Sequence, residues 1–396
     1  MREVIITDVN YRMSLSAIRT LGKRGIPITA VAYDDTPDYA CIGFYSKYVK
    51  NKVKLPSPNR DEMSFVKALC ALGESHVMAG KDKPVLIVPG SKSMQVLTRH
   101  RSEIDVWFDH LLVDHETYNR ANNTQSLLDS ASKFGVKGPV TTWLNQDESI
   151  EALAARVEYP VVVKYREGEK LPFKAAERYA IVRNATDFIA VYAKMHGIQP
   201  MPLVQEYIEG DGFGVSFVFD SNSQPAEIFV HQRLREYPIS GGPSTYCISI
   251  WDDAMVKEAI ALLEGLKWRG YAMVEFKGYL SGKTRLMEIN PRFWGSMALS
   301  ECSGCDLAFA YYTALVDPMQ IKVKSSQFQG QYRLNTKMRF RIQDLLAIKA
   351  YLIKGKKGFG FVARAIASQL NPMIKDGLFR FSDPKPGIMY YLGKFL

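Results

Sequence analysis

Residues 272–296 read Ala-Met-Val-Glu-Phe-Lys-Gly-Tyr-Leu-Ser-Gly-Lys-Thr-Arg-Leu-Met-Glu-Ile-Asn-Pro-Arg-Phe-Trp-Gly-Ser. Two apolar-alternating runs flank Ser281-Gly282, which is the pattern of a hairpin. A tight turn centred on that pair sets Glu275 opposite Glu288. Like charges directly opposite on an antiparallel pair are destabilising, so their presence asks for a reason. Asn290 lies two residues past Glu288 and points to the same face. Two carboxylates and an amide oxygen form a hard-oxygen set suited to Mg²⁺ that also holds nucleotide phosphates, with Mn²⁺ as a substitute. Two solvated acids on an exposed hairpin would explain less well why Ala272, Val274, Leu286, Ile289 and Phe293 surround them.

The run Glu288-Ile289-Asn290-Pro291-Arg292-Phe293, followed by Gly295-Ser296 and preceded by Glu275, resembles the metal-binding hairpin of the ATP-grasp superfamily. Within it the likeness is to the carboxylate–amine ligases, which include carbamoyl-phosphate-synthase-like and amino-acid ligases. It covers roughly the first 320 residues and is densest from 155 to 300. The fold it implies is α/β, with an N-terminal Rossmann-like domain over 1–115 that helps wall the substrate site. An ATP-grasp domain over 116–319 follows, its lid lobe at about 141–207. A basic helical segment, 320–396, completes the chain.

Composition agrees with that size and class. A chain of 396 residues divides into two or three domains. Hydrophobic content of 47% and charged content of 23% suit a globular protein. The first residues lack the apolar core of a signal peptide, and no apolar run approaches the ~20 residues of a spanning helix. The five cysteines are odd in number and scattered, which suits reduced thiols and a cytoplasmic location. Cys302 and Cys305 form an isolated CxxC with no second pair for zinc, and read as small packing residues.

The net charge of +10 is uneven. From Gln320 to Leu396 there are 15 basic and 3 acidic residues, so the remainder is close to neutral. Leu345, Leu346, Ile348, Leu352 and Ile353 lie beside Lys349, Lys354, Lys356 and Lys357, a mixture compatible with docking on the inner face of an anionic membrane or with packing on the body. No nucleic-acid motif accompanies these charges.

Along the N-terminal part, Val4-Ile5-Ile6, Ile28 to Tyr33 and Val85 to Val88 read as strands, with a helix from Ser14 to Lys23 between the first two. This alternation gives a parallel sheet. The first turn has no GxGxxG, which argues against dinucleotide binding. Further on, helices are expected at Gln125–Phe134, Ser149–Ala155, Asp187–Met195 and Ala254–Leu266. Strands are expected at Val161–Lys164, Tyr179–Val182, Leu203–Tyr207, Val215–Phe219 and Ile228–Arg235, with Gly210, Gly212 and Gly214 breaking the pattern before Val215.

Lys164 ends an apolar strand, so its stem is buried and its ammonium emerges at the end. The resemblance makes it a phosphate contact, with 165–174 as the phosphate-covering loop. It also makes Glu206, Tyr207 and Ile208 the adenine-side residues, and Glu209 or Asp211 the contact to the ribose. Arg233 and Arg235 share a face on an alternating strand, and Gly241-Gly242-Pro243-Ser244-Thr245 follows as a backbone-exposing loop. The resemblance implies that these arginines, with Arg292, bind the transferred phosphate and the acceptor carboxylate, and planar guanidinium suits such oxyanions because it binds them bidentately. One position departs from the family: Thr124 stands where a phosphate-holding lysine is usual, with Arg120 and Lys133 nearby.

The implied activity is ADP-forming ligation of a carboxylate to an amine through an acyl phosphate, with ATP and Mg²⁺. Its partners are small-molecule substrates, and a homodimer is compatible with it. A degenerate ATP-binding sensor or scaffold is the competing reading, favoured by Thr124 and opposed by the retention of Glu275, Glu288, Asn290 and Arg292.

Overall fold

A computed structural model describes residues 1–166, 171–173, 177–239, 242–280, 283–320, 331–354 and 358–393. The fold is mixed α/β. Strands β1 (Val4–Ile6), β2 (Ile28–Tyr33), β3 (Asn51–Leu55) and β4 (Val85–Ile87) form a parallel sheet in the order β3-β2-β1-β4. The first, second and fourth are fully buried apolar runs, as strands covered on both faces must be. β3 (Asn51-Lys52-Val53-Lys54-Leu55) escapes the sequence reading because it is an edge strand whose alternation is mostly polar.

A second, antiparallel sheet has the order β5-β8-β6-β7, from β5 (Thr141–Thr142), β6 (Val161–Lys164), β7 (Tyr179–Val182) and β8 (Leu203–Glu206). Helix Ala185–Ile198 covers it, with Phe188 and Tyr192 buried against Val161, Val163 and Val204.

The third sheet comprises β9 (Asp211–Phe219), β10 (Pro225–Glu236), β11 (Ser244–Ile250), β12 (Gly270–Tyr279), β13 (Lys283–Asn290), β14 (Lys337–Arg339) and β15 (Lys375–Asp376). Its order is β13-β12-β9-β10-β11-β14-β15. One face packs on helix Asp253–Gly265 and joins the core of the parallel sheet, through Phe213, Val215, Phe217, Val274 and Leu286.

Two expectations are corrected here. Gly212 and Gly214 do not precede the strand; β9 begins at Asp211 and runs through both. The hairpin does not turn in the simplest register either. Tyr279 pairs with Lys283 and Phe276 with Leu286, one residue out of step with a two-residue turn. A bulge at Met287 restores the offset, so Glu275 pairs with Glu288 and Met273 with Asn290. Ser281 and Gly282 themselves lie outside the described residues.

The basic C-terminal segment adds β14 and β15 to the sheet edge and then folds back over the molecule. In helices Arg341–Lys354 and Phe359–Ser368, Ala347, Ile348, Tyr351, Val362 and Ala365 are buried. Leu345, Leu346, Leu352, Ile353, Phe359, Ile366 and Leu370 are exposed. Lys356 and Lys357 fall outside the described residues, and no helix among the described residues is long and apolar enough to cross a membrane.

Candidate functional site

Strand alternation puts Glu275 and Lys277 of β12 on the face opposite the apolar core, with Glu288 and Asn290 of β13 beside them. Asn290 binds the two acids together: its Nδ2 donates to Glu275 Oε1 at 3.1 Å and to Glu288 Oε1 at 2.9 Å. Glu288 is exposed, whereas Glu275 is largely enclosed. Burial pushes the Glu275 carboxyl up, with Glu288 adding to the rise and Arg233 and Arg292 opposing it.

Arg233 reaches this pair from two strands away. β9 lies between β10 and β12, and Gly214 pairs with both His231 and Glu275. A Cβ on Gly212 would come within 3.1 Å of Arg233 Cδ, and one on Gly214 within 2.4 Å of His231 Cε1. The two glycines therefore open a trough across β9. Arg233 lies in it and ion-pairs with Glu275. Its Nε–H is buried with no acceptor among the described residues. His231, beside it, is held by burial down to about 3 and is neutral; its Nε2 is 2.9 Å from Ser296 Oγ. That bond ties β10 to the loop carrying Arg292.

Lys164 stands at the end of β6, where burial pulls its ammonium down and Glu288 is the charge that opposes the shift. The lysine that ends β6 and the hairpin carboxylate of Glu288 thus lie within electrostatic reach of each other. Lys277, which the sequence reading passed over, lies 5.5 Å from the centroid of the Tyr207 ring and so ties β12 to the exit of β8. Its position two residues after Glu275 was the available signal. Glu206 accepts the Val140 N–H at 3.1 Å, and Asp211 accepts from Gln232 Nε2 at 2.7 Å. Ile208 is half-buried and Glu209 exposed. Gly210, at φ 114°, is pressed against the Gly278 carbonyl, 2.1 Å from where a Cβ would be, so this crossing admits only glycine.

Arg235 does not join the cluster. A register irregularity separates it from Arg233, and it makes a buried bidentate ion pair with Asp344, both contacts at 2.7 Å. Its other face stacks on Tyr246, 4.2 Å from the ring centroid. Arg292 is unpaired with any acid among the described residues, and its Nη1 donates to the Phe293 carbonyl at 2.7 Å. Thr124 opens helix Thr124–Lys133, and Arg120 is engaged by Glu116 at 2.5 Å. Of the covering loop, 167–170 and 174 lie outside the described residues, as does Gly241. Cys302 and Cys305 are free thiols; Cys302 Sγ accepts from Arg380 at 2.9 Å.

Residues 124–296 match the ATP-grasp domain family. The chain is 20% identical over 278 residues to the D-aspartate ligase of Enterococcus faecium (strain Aus0004), covering 67% of this chain and 66% of that ligase, so it spans just under two thirds of the relative's length. Among solved structures, the L-amino acid ligase of Bacillus licheniformis aligns with a TM-score of 0.56 and 15% identity, over 85% of this chain and 79% of that one. The N5-carboxyaminoimidazole synthetase of Staphylococcus aureus complexed with ADP gives a TM-score of 0.59 at 15% identity, over 79% and 77%. Nothing in these similarities supports the membrane contact read from the basic segment. The ATP-grasp match, which ends within the loop that follows the Glu275–Glu288 hairpin, marks residues 124–296 as an ATP-grasp domain.

Proposed function

We propose that the protein is an ATP-dependent, ADP-forming carboxylate–amine ligase, and that its substrates include an amino acid. The observation that carries this reading is the pairing of Glu275 with Glu288, bridged by Asn290, with Arg233 ion-paired to Glu275 and Lys164 within electrostatic reach of Glu288. Two carboxylates held together at a cost are what a divalent cation would repay. The donor set fits Mg²⁺, held by Glu275, Glu288 and the amide of Asn290. Bound there with ATP, the metal would neutralise phosphate charge as the phosphoryl group is transferred. The names of the D-aspartate and L-amino acid ligases support an amino-acid substrate.

The chain's own groups then have distinct tasks. Tyr207 and Ile208, at the exit of β8, border the adenine side, and Glu209 or Asp211 meets the ribose. Lys164 and Lys277 supply charge to the phosphates. Arg233, with its free Nε–H, and Arg292 grip the γ-phosphoryl group. A substrate carboxylate oxygen attacks that phosphorus and ADP leaves; the amine then attacks the acyl carbon and inorganic phosphate departs. Positioning and charge neutralisation, rather than a protein nucleophile, drive both steps. Functionally, 1–115 walls the substrate site, 116–319 binds and transfers, and 320–396 buttresses both.

One position favours a second reading, a nucleotide-binding module without turnover: Thr124 where the family's lysine is usual. Release of ADP and phosphate with Mg-ATP across D- and L-amino acids and simple amines separates the two. Glu288→Gln should lower ADP release at least about 100-fold with an unchanged circular dichroism spectrum. Unchanged turnover in that variant removes the metal assignment, and ATP binding without turnover in the parent favours the module.

A further inference from the structure

Arg12 lies in the loop that leaves β1. The loop is anchored by Asp8, which is buried, adopts φ 55°, and accepts from Thr7 at 2.5 Å, Ser93 at 2.7 Å and Tyr33 at 2.9 Å. These partners lie at the carboxyl ends of β1, β2 and β4. The chain reverses direction across the sheet between β1 and β4. Open α/β sheets hold ligands at such a point.

From that loop Arg12 reaches the ATP-grasp sheet. A Cβ on Gly295 would sit 3.2 Å from Arg12 Nη2 and 4.0 Å from Cβ of Pro243. Gly295 is three residues past Arg292, and Pro243 belongs to the Gly-Gly-Pro-Ser loop. The guanidinium carbon is 3.7 Å from the centroid of the Phe340 ring, so the C-terminal segment forms the floor beneath it. Three parts of the chain thus converge on one cation. Burial pulls its pKa down, with Tyr390 and Cys247 opposing.

Its counter-ion is missing from the described residues. Arg19 and Arg235, the other arginines that meet the C-terminal segment from elsewhere in the fold, have Asp383 and Asp344. No Asp or Glu among the described residues ion-pairs with Arg12. A half-buried charge without a counter-ion carries a desolvation cost, and a bound anion offsets it. Stacking occupies a face of the guanidinium and Tyr390 hydrogen-bonds to it, which leaves the remaining N–H donors of its planar fork for a carboxylate. Two residues earlier, the Asn10 side-chain oxygen is buried with no donor among the described residues, an acceptor suited to an ammonium.

We propose that Arg12 binds the carboxylate of the amino-acid substrate that is not phosphorylated, and that Asn10 receives the same molecule's ammonium. This rests on the ligase reading above and narrows its substrate to amino acids carrying a carboxylate free of the reaction.

The test uses the full chain with Mg-ATP and six probes: D- and L-aspartate, D- and L-glutamate, β-alanine and γ-aminobutyrate. The last two lack the α-carboxylate. Arg12→Met should raise KM for an accepted aspartate or glutamate about tenfold or more, leave KM for ATP within about twofold, and leave the response to β-alanine and γ-aminobutyrate as it was. Arg12→Lys should recover part of the loss, and thermal melts report whether each variant is folded. Equal KM in Arg12→Met and parent, or an equal loss toward all six probes and ATP, overturns the inference while leaving the ligase reading standing. If the parent releases no ADP with any probe, binding decides: NMR line broadening of aspartate or glutamate by the parent and not by Arg12→Met upholds the carboxylate site, and no broadening by either overturns it.

Discussion

Lys164 shows how one residue can belong to two sheets. Its backbone lies in β6, yet the charge that steadies its ammonium is Glu288, on β13 of the large sheet. Burial alone pulls this ammonium down, so an added anion beside it is favourable. Lys164→Met keeps the apolar stem and removes the charge. It should weaken ATP binding about tenfold while changing AMP binding less than about twofold, measured by titration calorimetry. Equal loss for both nucleotides would instead mark a packing role. Thr124→Lys is the complementary variant, and tighter ATP binding there would support the position's correspondence to the family's lysine. At this scale the sequence was legible where period alone decides a side chain's direction, as for Glu275, Glu288 and Asn290. It was not legible for Arg233, whose partner Glu275 lies beyond an intervening strand. Only the sheet order brings those two together.

Strands carry features that periodicity hides. A residue inserted at Met287 leaves alternation intact on either side of it, so the bulge cannot be read from the apolar pattern; a two-residue turn and a longer one with a bulge give the same Glu275–Glu288 pair. The glycines of β9 mislead in the other direction. They look like a break, because glycine weakens a strand, yet here they clear a path for His231 and Arg233. The two positions differ in a testable way. A methyl at Gly214 meets the rigid His231 ring at 2.4 Å and Met273 Sδ at 2.9 Å, whereas at Gly212 it meets the flexible Arg233 stem at 3.1 Å. Gly214→Ala should cost about 1–3 kcal/mol in urea unfolding and disturb the His231–Ser296 bond behind Arg292. Gly212→Ala should cost under about 1 kcal/mol yet still reduce ADP release, by displacing Arg233. Equal stability losses would mean that the trough is not what these glycines provide.

The whole molecule is closed by its basic end. The charge imbalance of 320–396 is visible in the sequence, but the work of its three acids is not. Asp383 accepts from Arg19 at 3.0 Å and from Ser46 at 2.9 Å, fastening the parallel sheet's first helix. Asp376 receives Arg341 and the backbone N–H groups of Leu378 and Phe379. Asp344 takes both arms of Arg235 and also Gln369 at 2.6 Å, fastening β10 to the helices that carry Tyr351 and Val362. These partners are distant in sequence, so no local signal announces them, and Arg235 reads as readily for catalysis as for structure. The distinction can be measured. Asp344→Ala strands a buried guanidinium and should destabilise the protein by about 3–5 kcal/mol, whereas Arg235→Met combined with Asp344→Leu removes both charges and should recover most of that loss. If Arg235 serves only to hold the C-terminal helices, the double variant also keeps ADP release within about threefold of the parent. A folded double variant whose turnover falls by two orders of magnitude or more would return Arg235 to the reacting groups, and would mean that its pair with Asp344 opens when substrates bind.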